Sequence, residues 1–193
     1  MTCPSRDSSK HQHVEIWTDG SLRELIISRR GKERKVYVGG WAFILKWGLH
    51  EKEVYNGEYT EGERRGLDSD RMELTAVVKG LGHLKGDRTV KVFTDSQYVI
   101  DVGRQCHQRN VTGEHPIGGR LPRNWDLIQG VCYFDKRHKI DWIYVKAHAG
   151  TDMNCRADRL AKAGADLTEK KFLIYAPMER VLPWEYEEPV SLG

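Results

Sequence analysis

Residues 89–100 read TVKVFTDSQYVI, and this stretch decides the fold. Thr89 to Thr94 is a short run of β-branched and apolar residues, the composition of a strand. From Ser96 the apolar positions shift to helical spacing through Tyr98, Val99 and Val102. The next strand pattern is KIDWIYV at residues 139–145. A strand that feeds a helix and then returns to a strand calls for parallel pairing. In sheets of this kind ligands bind beyond the carboxyl ends of the parallel strands. Asp95 stands at that end. It has a plainer reading too, because Asp95 or Ser96 suits the N-cap of the helix.

Upstream the pattern is different. Residues 14–19 (VEIWTD), 40–47 (GWAFILKW) and 52–60 (KEVYNGEYT) read as three strands of an antiparallel meander. Residues 22–38 form a long hairpin extension whose tip is basic, with Arg29, Arg30, Lys32, Arg34 and Lys35 around Gly31. Residues 71–84 have helical spacing through Met72, Leu74, Val77, Val78, Leu81 and Leu84. Residues 110–124 are rich in Gly, Pro and Arg and read as a loop. Helices follow at 125–134 and 153–165. The expected order is β-β-β-α-β-α-α-β-α. That is an α/β fold with a five-stranded mixed sheet and helices on both faces. Residues 1–13 read as a disordered leader and 14–165 as the folded, catalytic domain. Residues 166–193 hold Pro177, Pro183 and Pro189 with six acidic and three basic side chains, and read as a loosely packed acidic extension.

Composition excludes several classes. The chain has 193 residues, 39% hydrophobic and 31% charged, which fits one globular domain. It contains no apolar run of the roughly 18 residues a membrane helix needs, and no signal-peptide core at its start. The net charge of +3 is too small to prove a nucleic-acid partner. Cys3, Cys106, Cys132 and Cys155 match no zinc spacing, so free thiols in a reducing compartment are expected.

Four acids occupy element ends or helix positions where a fold can gather them: Asp19 in TDGS, Glu73 in RMEL, Asp95 in TDSQ and Asp158 in RADRLA. Each has a structural reading taken alone. Asp19 opens a turn before Gly20, a residue that lets a backbone or ligand approach. Glu73 closes a capping box with Asp70, with Asp70 or Ser69 as the N-cap. Asp158 pairs with Lys162 one helical turn on. The row Ala157, Ala161 and Ala165 implies a closely packed neighbour. His148, in the small-residue segment AHAG, suits proton transfer near neutral pH. Gathered together, the acids repel at roughly 4 kcal/mol per pair at 4 Å in a surface-like dielectric. Divalent cations relieve this, and carboxylates suit Mg2+ or Mn2+.

Six segments together resemble ribonuclease H of the cellular type-1 family. They are Thr18–Ser21, Gly39–Ala42, Arg71–Leu74, Thr94–Gln97, Lys146–Gly150 and Asn154–Ala161. The resemblance implies an endoribonuclease that cuts the RNA strand of an RNA–DNA hybrid, leaving 3′-hydroxyl and 5′-phosphate ends. It implies two Mg2+ ions, with Mn2+ as a substitute, on Asp19, Glu73, Asp95 and Asp158, and a mobile catalytic His148. It places Gly20, Ser21, Ser69 and Gln97 near the RNA strand and Asn124 near the DNA strand. Arg104, Arg109, Arg120 and Arg123 occupy the position of the family's basic protrusion. A cytoplasmic monomer is implied. The departures are Asp68 and Asp70, where relatives commonly carry amide or hydroxyl side chains and where the two extra carboxylates should repel phosphate; a 22–38 hairpin longer than usual; an insertion at 61–66; and a protrusion without the tryptophans of some relatives. The other readings are a related nuclease for a different duplex and a non-catalytic hybrid-binding module.

Overall fold

A computed structural model of the chain describes residues 13–29, 32–62, 66–113, 121–146 and 152–175. The elements are β1 (Val14–Arg29), β2 (Lys32–Trp47), β3 (His50–Glu61), α1 (Ser69–Gly82), β4 (Thr89–Thr94), α2 (Gln97–Thr112), α3 (Trp125–Arg137), β5 (Lys139–Tyr144) and α4 (Asp152–Tyr175). The order read from the sequence is the order observed. The five strands form one sheet in the order β3-β2-β1-β4-β5. β1, β2 and β3 pair antiparallel, while β4 is parallel to both β1 and β5.

Strand alternation assigns the two faces. Ile16, Trp41, Phe43 and Leu45 join Met72, Leu74 and Val77 of α1 in the main core, which extends to Val99, Val102 and Cys106 of α2 and Ile128 and Val131 of α3. On the other face Trp17, Ile44 and Ala157 pack together, and Val36, Val38, Ala165 and Phe172 form a further cluster. That second cluster differs from expectation. The last helix continues to Tyr175 instead of ending near residue 165. Its extra turns cover the long β1–β2 hairpin, with Phe172 buried and Leu25 and Ile27 against it. Arg23 on β1 pairs with Asp166 (2.7 Å) and Glu169 (2.8 Å), so charges assigned to a loose tail fasten this helix to the sheet. The signal was obscured because helical spacing there runs into the proline-bearing stretch.

Helix α4 lies directly on the sheet, as the alanine row implied. A Cβ on Gly40 would sit 2.1 Å from the Ala161 carbonyl oxygen and 2.5 Å from the Ala165 nitrogen. A Cβ on Gly164 would meet the Asn56 carbonyl at 2.3 Å. Backbone packs on backbone, and Ala157, Ala161 and Ala165 are all buried. At the start of α4, Arg156 bridges to both Glu51 and Glu53 on β3.

The cysteine expectation is corrected. Cys106 on α2 and Cys132 on α3 are joined as a disulfide, with Cα atoms 4.7 Å apart across a sequence separation of 26. Among the described residues only Cys155 is a free thiol. Sequence distance misled here, because packing two helices side by side brings remote positions together. On the chain-entropy account a loop of this size is worth about 3.5 kcal/mol of stability.

Gly40→Val forces a branched side chain into the α4 backbone. We expect a loss of about 3 kcal/mol, the upper end for overpacking, read as a fall in the denaturant midpoint. An unchanged midpoint would show that α4 does not press on β2.

Candidate active site

Three elements deliver carboxylates to one point. Asp19 points from β1 on the face that also carries Trp17. Glu73 stands in the first turns of α1, and Asp95 follows the last residue of β4. Ligand oxygens of the three lie within 4.8 Å of one another. Gly20 allows this approach. A Cβ there would lie 2.5 Å from the Glu73 nitrogen and 2.8 Å from the Met72 carbonyl carbon. The close partner of this glycine is therefore the α1 backbone. The Gly20 amide donates to Asp19 Oδ1 at 2.7 Å.

Helix capping decides which acids are free. The N-cap of α1 is Asp68, not Ser69 or Asp70, and its Oδ1 accepts from the Arg71 amide at 2.7 Å. No capping duty therefore falls on Glu73. Ser96 caps α2, accepting from the Val99 amide at 3.3 Å, which leaves the Asp95 carboxylate to the cluster.

Asp19 and Glu73 are buried, and their proton affinities show the cost of that arrangement. Burial first, then the charges of Asp95 and Asp158, push Asp19 up to about 7. Burial, followed by the charges of Asp19 and Asp95, pushes Glu73 well above the usual carboxylate range. A hydrogen bond between the two lowers Asp19 and raises Glu73, so Glu73 carries the proton and donates it to Asp19. Glu73 Oε2 is buried without a hydrogen-bond partner. Raised carboxyl groups, a shared proton and an orphaned oxygen are what a cation would relieve. This donor set fits a hard divalent ion.

Asp158 stands just outside the triad. Its charge reaches Asp19, but its Oδ2 is bound to Lys162 Nζ at 2.8 Å, the helical pair expected from spacing. Asn154 was missed as a functional candidate. It is buried, and its Nδ2 donates to Asp95 Oδ2 at 3.1 Å. Only the amide nitrogen can donate to a carboxylate, which fixes Oδ1 as the other end. That oxygen is buried and unpartnered. The available signal was its place on α4, one turn before Asp158.

The remaining expected residues scatter around this point. Ser69 is exposed at the start of α1, and Gln97 is exposed with its Nε2 donating to Asp101 at 2.9 Å. Ser21 is half-buried on β1. Asn124 precedes α3 in a left-handed conformation (φ 58°), and its Nδ2 lies 3.5 Å from Asp68 Oδ1. Arg123 binds Asp68 Oδ2. Arg71 holds Asp126 through two bonds of 3.0 and 2.8 Å. The N-terminus of α3 is thus tied to that of α1. His148 and Arg120 lie outside the described residues.

Known proteins resemble the chain over most of its length. A family model described as RNase H matches residues 11–166. A ribonuclease H of Erythrobacter litoralis is 37% identical over 155 residues, covering 80% of this chain and 96% of the relative. A ribonuclease HI of Neisseria meningitidis serogroup A is 36% identical over 156 residues, covering 80% and 97%. Among solved structures, LC9-RNase H1, a type 1 RNase H with the type 2 active-site motif, superposes with a TM-score of 0.60. It is 24% identical and covers 82% of this chain and 74% of its own. The foamy viral protease–reverse transcriptase superposes at 0.53, with 17% identity, covering 81% and 95%. These two structures establish the fold alone. The family model and the curated relatives go further: the chain belongs to the ribonuclease H family and is a ribonuclease.

Proposed function

We propose that the chain is an endoribonuclease that hydrolyses the RNA strand of RNA–DNA hybrids, with divalent cations held by Asp19, Glu73, Asp95 and Asp158. The observation that carries this reading is the triad within 4.8 Å, in which Asp19 and Glu73 are buried and raised in proton affinity and one Glu73 oxygen has no partner. Two Mg2+ ions, when bound, supply an activated water and charge stabilisation for the leaving 3′-oxygen, giving 3′-hydroxyl and 5′-phosphate products.

The protein groups have distinct tasks in this reading. Asp19 and Glu73 would hold cations in place of their shared proton. Asp158 exchanges its bond to Lys162 for a place at the margin of the site. Asn154 holds Asp95 in position. His148 takes or returns the proton of the departing group. Ser21, Ser69 and Gln97 face the ribose side of the hybrid, where 2′-hydroxyls distinguish RNA from DNA. Asn124 faces the DNA strand. Gly20 has only its backbone to offer, and its amide already serves Asp19. Arg104 and Arg109 add phosphate attraction that weakens with salt, while Arg123 is held by Asp68.

Cleavage of four duplexes of one sequence tests the substrate. RNA–DNA is expected to be cut in its RNA strand, with RNA–RNA and DNA–DNA left intact. Cutting of another duplex in preference would favour the alternative nuclease reading, and hybrid binding without cleavage in Mg2+ or Mn2+ a binding module. Asp95→Asn is expected to reduce cleavage to background while the protein stays folded. Full activity in that variant would sink the site assignment.

Metal-free protein is expected to lose stability as pH rises. With Glu73 already protonated, the folded state takes up a second proton on Asp19 below about pH 7, whereas the ordinary value of that carboxyl is 3.8. Between these values the folded state binds more protons than the unfolded state, so the unfolding free energy falls with rising pH. Melting curves in chelator should show that slope, and Mg2+ or Asp19→Asn should reduce it, the variant leaving the part that belongs to Glu73. A flat curve in chelator would contradict the buried proton.

Asn154→Ala is expected to lower cation affinity by roughly 10-fold or more, the usual scale for a residue that orients a ligand. Calorimetric titration with Mn2+ reads this directly. A loss of melting temperature without a loss of Mn2+ affinity would make Asn154 a packing residue only.

A further inference from the structure

The Cys106–Cys132 bond lies on the two helices that flank the duplex-facing residues, and the environments of its sulfurs differ. Cys106 is fully buried in the main core. Cys132 is half-buried and lines a cavity of about 230 Å3 between α2 and α3. Arg109, Trp125, Tyr133 and Lys136 share that lining. Arg109 stacks over Trp125 at 5.9 Å. Two cationic side chains on an aromatic-walled opening favour the approach of a thiolate, the form that attacks disulfides.

We propose that this disulfide is a thiol–disulfide exchange site, entered at Cys132 by a dithiol reductant, and that its state sets how tightly the α2–α3 pair grips a nucleic-acid duplex. One thiolate of the reductant attacks Cys132 Sγ. The new sulfur–sulfur bond forms as the Cys106–Cys132 bond breaks, and Cys106 departs as a thiolate that takes up a proton. The second thiolate of the reductant then attacks the reductant's own sulfur in the mixed disulfide. Cys132 departs and is protonated. The dithiol is oxidised by two electrons and the protein disulfide is reduced by two. The products fit the site. Cys106 Sγ lies 3.6 Å from the Ile128 carbonyl oxygen, an acceptor ready for the S–H of the reduced form.

The geometry connects this bond to the duplex-facing end. The N-terminus of α2 follows Asp95 and carries Gln97, while the N-terminus of α3 is led by Arg123 and Asn124. The disulfide fixes one helix against the other. Without it the helices keep, among the described residues, the ties of Asn110 Nδ2 to the Cys132 carbonyl (3.0 Å) and to Asp135 (2.9 Å), the His107–Asp135 pair (3.4 Å), the Cys106 Sγ–Ile128 carbonyl contact (3.6 Å) and the Arg109–Trp125 stacking (5.9 Å), none of them covalent. A covalently fixed pair presents Gln97, Arg109 and Asn124 already ordered, and a freed pair must order them on binding. The effect on duplex binding rests on the hybrid-nuclease reading; the exchange chemistry does not.

The test uses the full chain purified without reductant. Thiol labelling in denaturant is expected to find two free thiols of the four cysteines, and four after dithiothreitol. Brief exposure to glutathione, followed by peptide mapping, is expected to place the mixed disulfide on Cys132. Affinity for a labelled RNA–DNA hybrid is then measured on the oxidised and reduced Asp19→Asn chain, which prevents cleavage during the titration. Reduction is expected to weaken binding roughly 3- to 10-fold, the scale of lost preorganisation of a few side chains. The Cys106→Ala/Cys132→Ala double variant should match the reduced chain and ignore dithiothreitol, whereas Cys155→Ser should keep the response. Melting curves confirm that each form is folded at the assay temperature. Four thiols at the outset, glutathione on Cys106, or equal affinity in the two states would each overturn the proposal. Absence of hybrid binding in both states would sink the hybrid reading and the effect on grip together. The thiol counts and the mapped adduct would still decide whether exchange occurs at Cys132.

Discussion

Mutual repulsion among buried carboxylates is the constraint on which the site depends. Asp19, Glu73 and Asp95 approach within 4.8 Å, and Asp19 and Glu73 are almost excluded from water. Without a cation the cluster keeps a proton, and that proton sits on Glu73 in its bond to Asp19. The fold tolerates this because the rest of the sheet is strongly held: backbone packs on backbone at Gly40, Gly57 and Gly164, and Arg156 ties α4 to β3. Clustered carboxylates cost stability by mutual repulsion, and positive charge placed among them would relieve that cost.

Each acid is free for this purpose because another residue performs the local structural task. Asp68 caps α1, so Glu73 is spared. Ser96 caps α2, so Asp95 is spared. Asp95 is then held by Asn154, so a residue of α4 positions a carboxylate that belongs to the turn after β4. Gly20 gives up its side chain so that the α1 backbone can reach β1. The three carboxylates converge through close approach of elements rather than through long flexible side chains, and their positions are accordingly fixed.

Much of this was legible in the sequence, for identifiable reasons. β4 was readable to the residue because a β-branched run is cut off sharply by Asp95 and Ser96. The meander was readable from alternation, and the gathering of Asp19, Glu73 and Asp95 from their places at element ends. The Ala157–Ala161–Ala165 row announced the close packing of α4. What was not legible depended on contacts between distant segments. The last turns of α4 are helical because Phe172 has the hairpin and Tyr59 to pack against, with rings 4.8 Å apart. The pairing of Cys106 with Cys132 depends on how α2 and α3 pack. The role of Asn154 depends on a partner 59 positions away.

The acids that seemed least suited to a nucleic-acid site show the same dependence on tertiary contact. Asp68 reads as a charge that should repel phosphate. In the fold it is buried, accepts the Arg71 amide at the positive end of a helix and binds the Arg123 guanidinium. Its charge is met locally, and little field remains to act on a duplex. The same bond fastens the start of α3 to α1, with Arg71 and Asp126 providing a second tie beside it. Asp70 is left in the first turn of α1 as the half-buried acid of the pair, favoured by the helix terminus. Replacing an amide or hydroxyl by an acid at position 68 therefore trades a neutral cap for a charged anchor. The anchor occupies Arg123, which would otherwise be free to meet phosphate, and in return it orders Asn124 and the entry to α3.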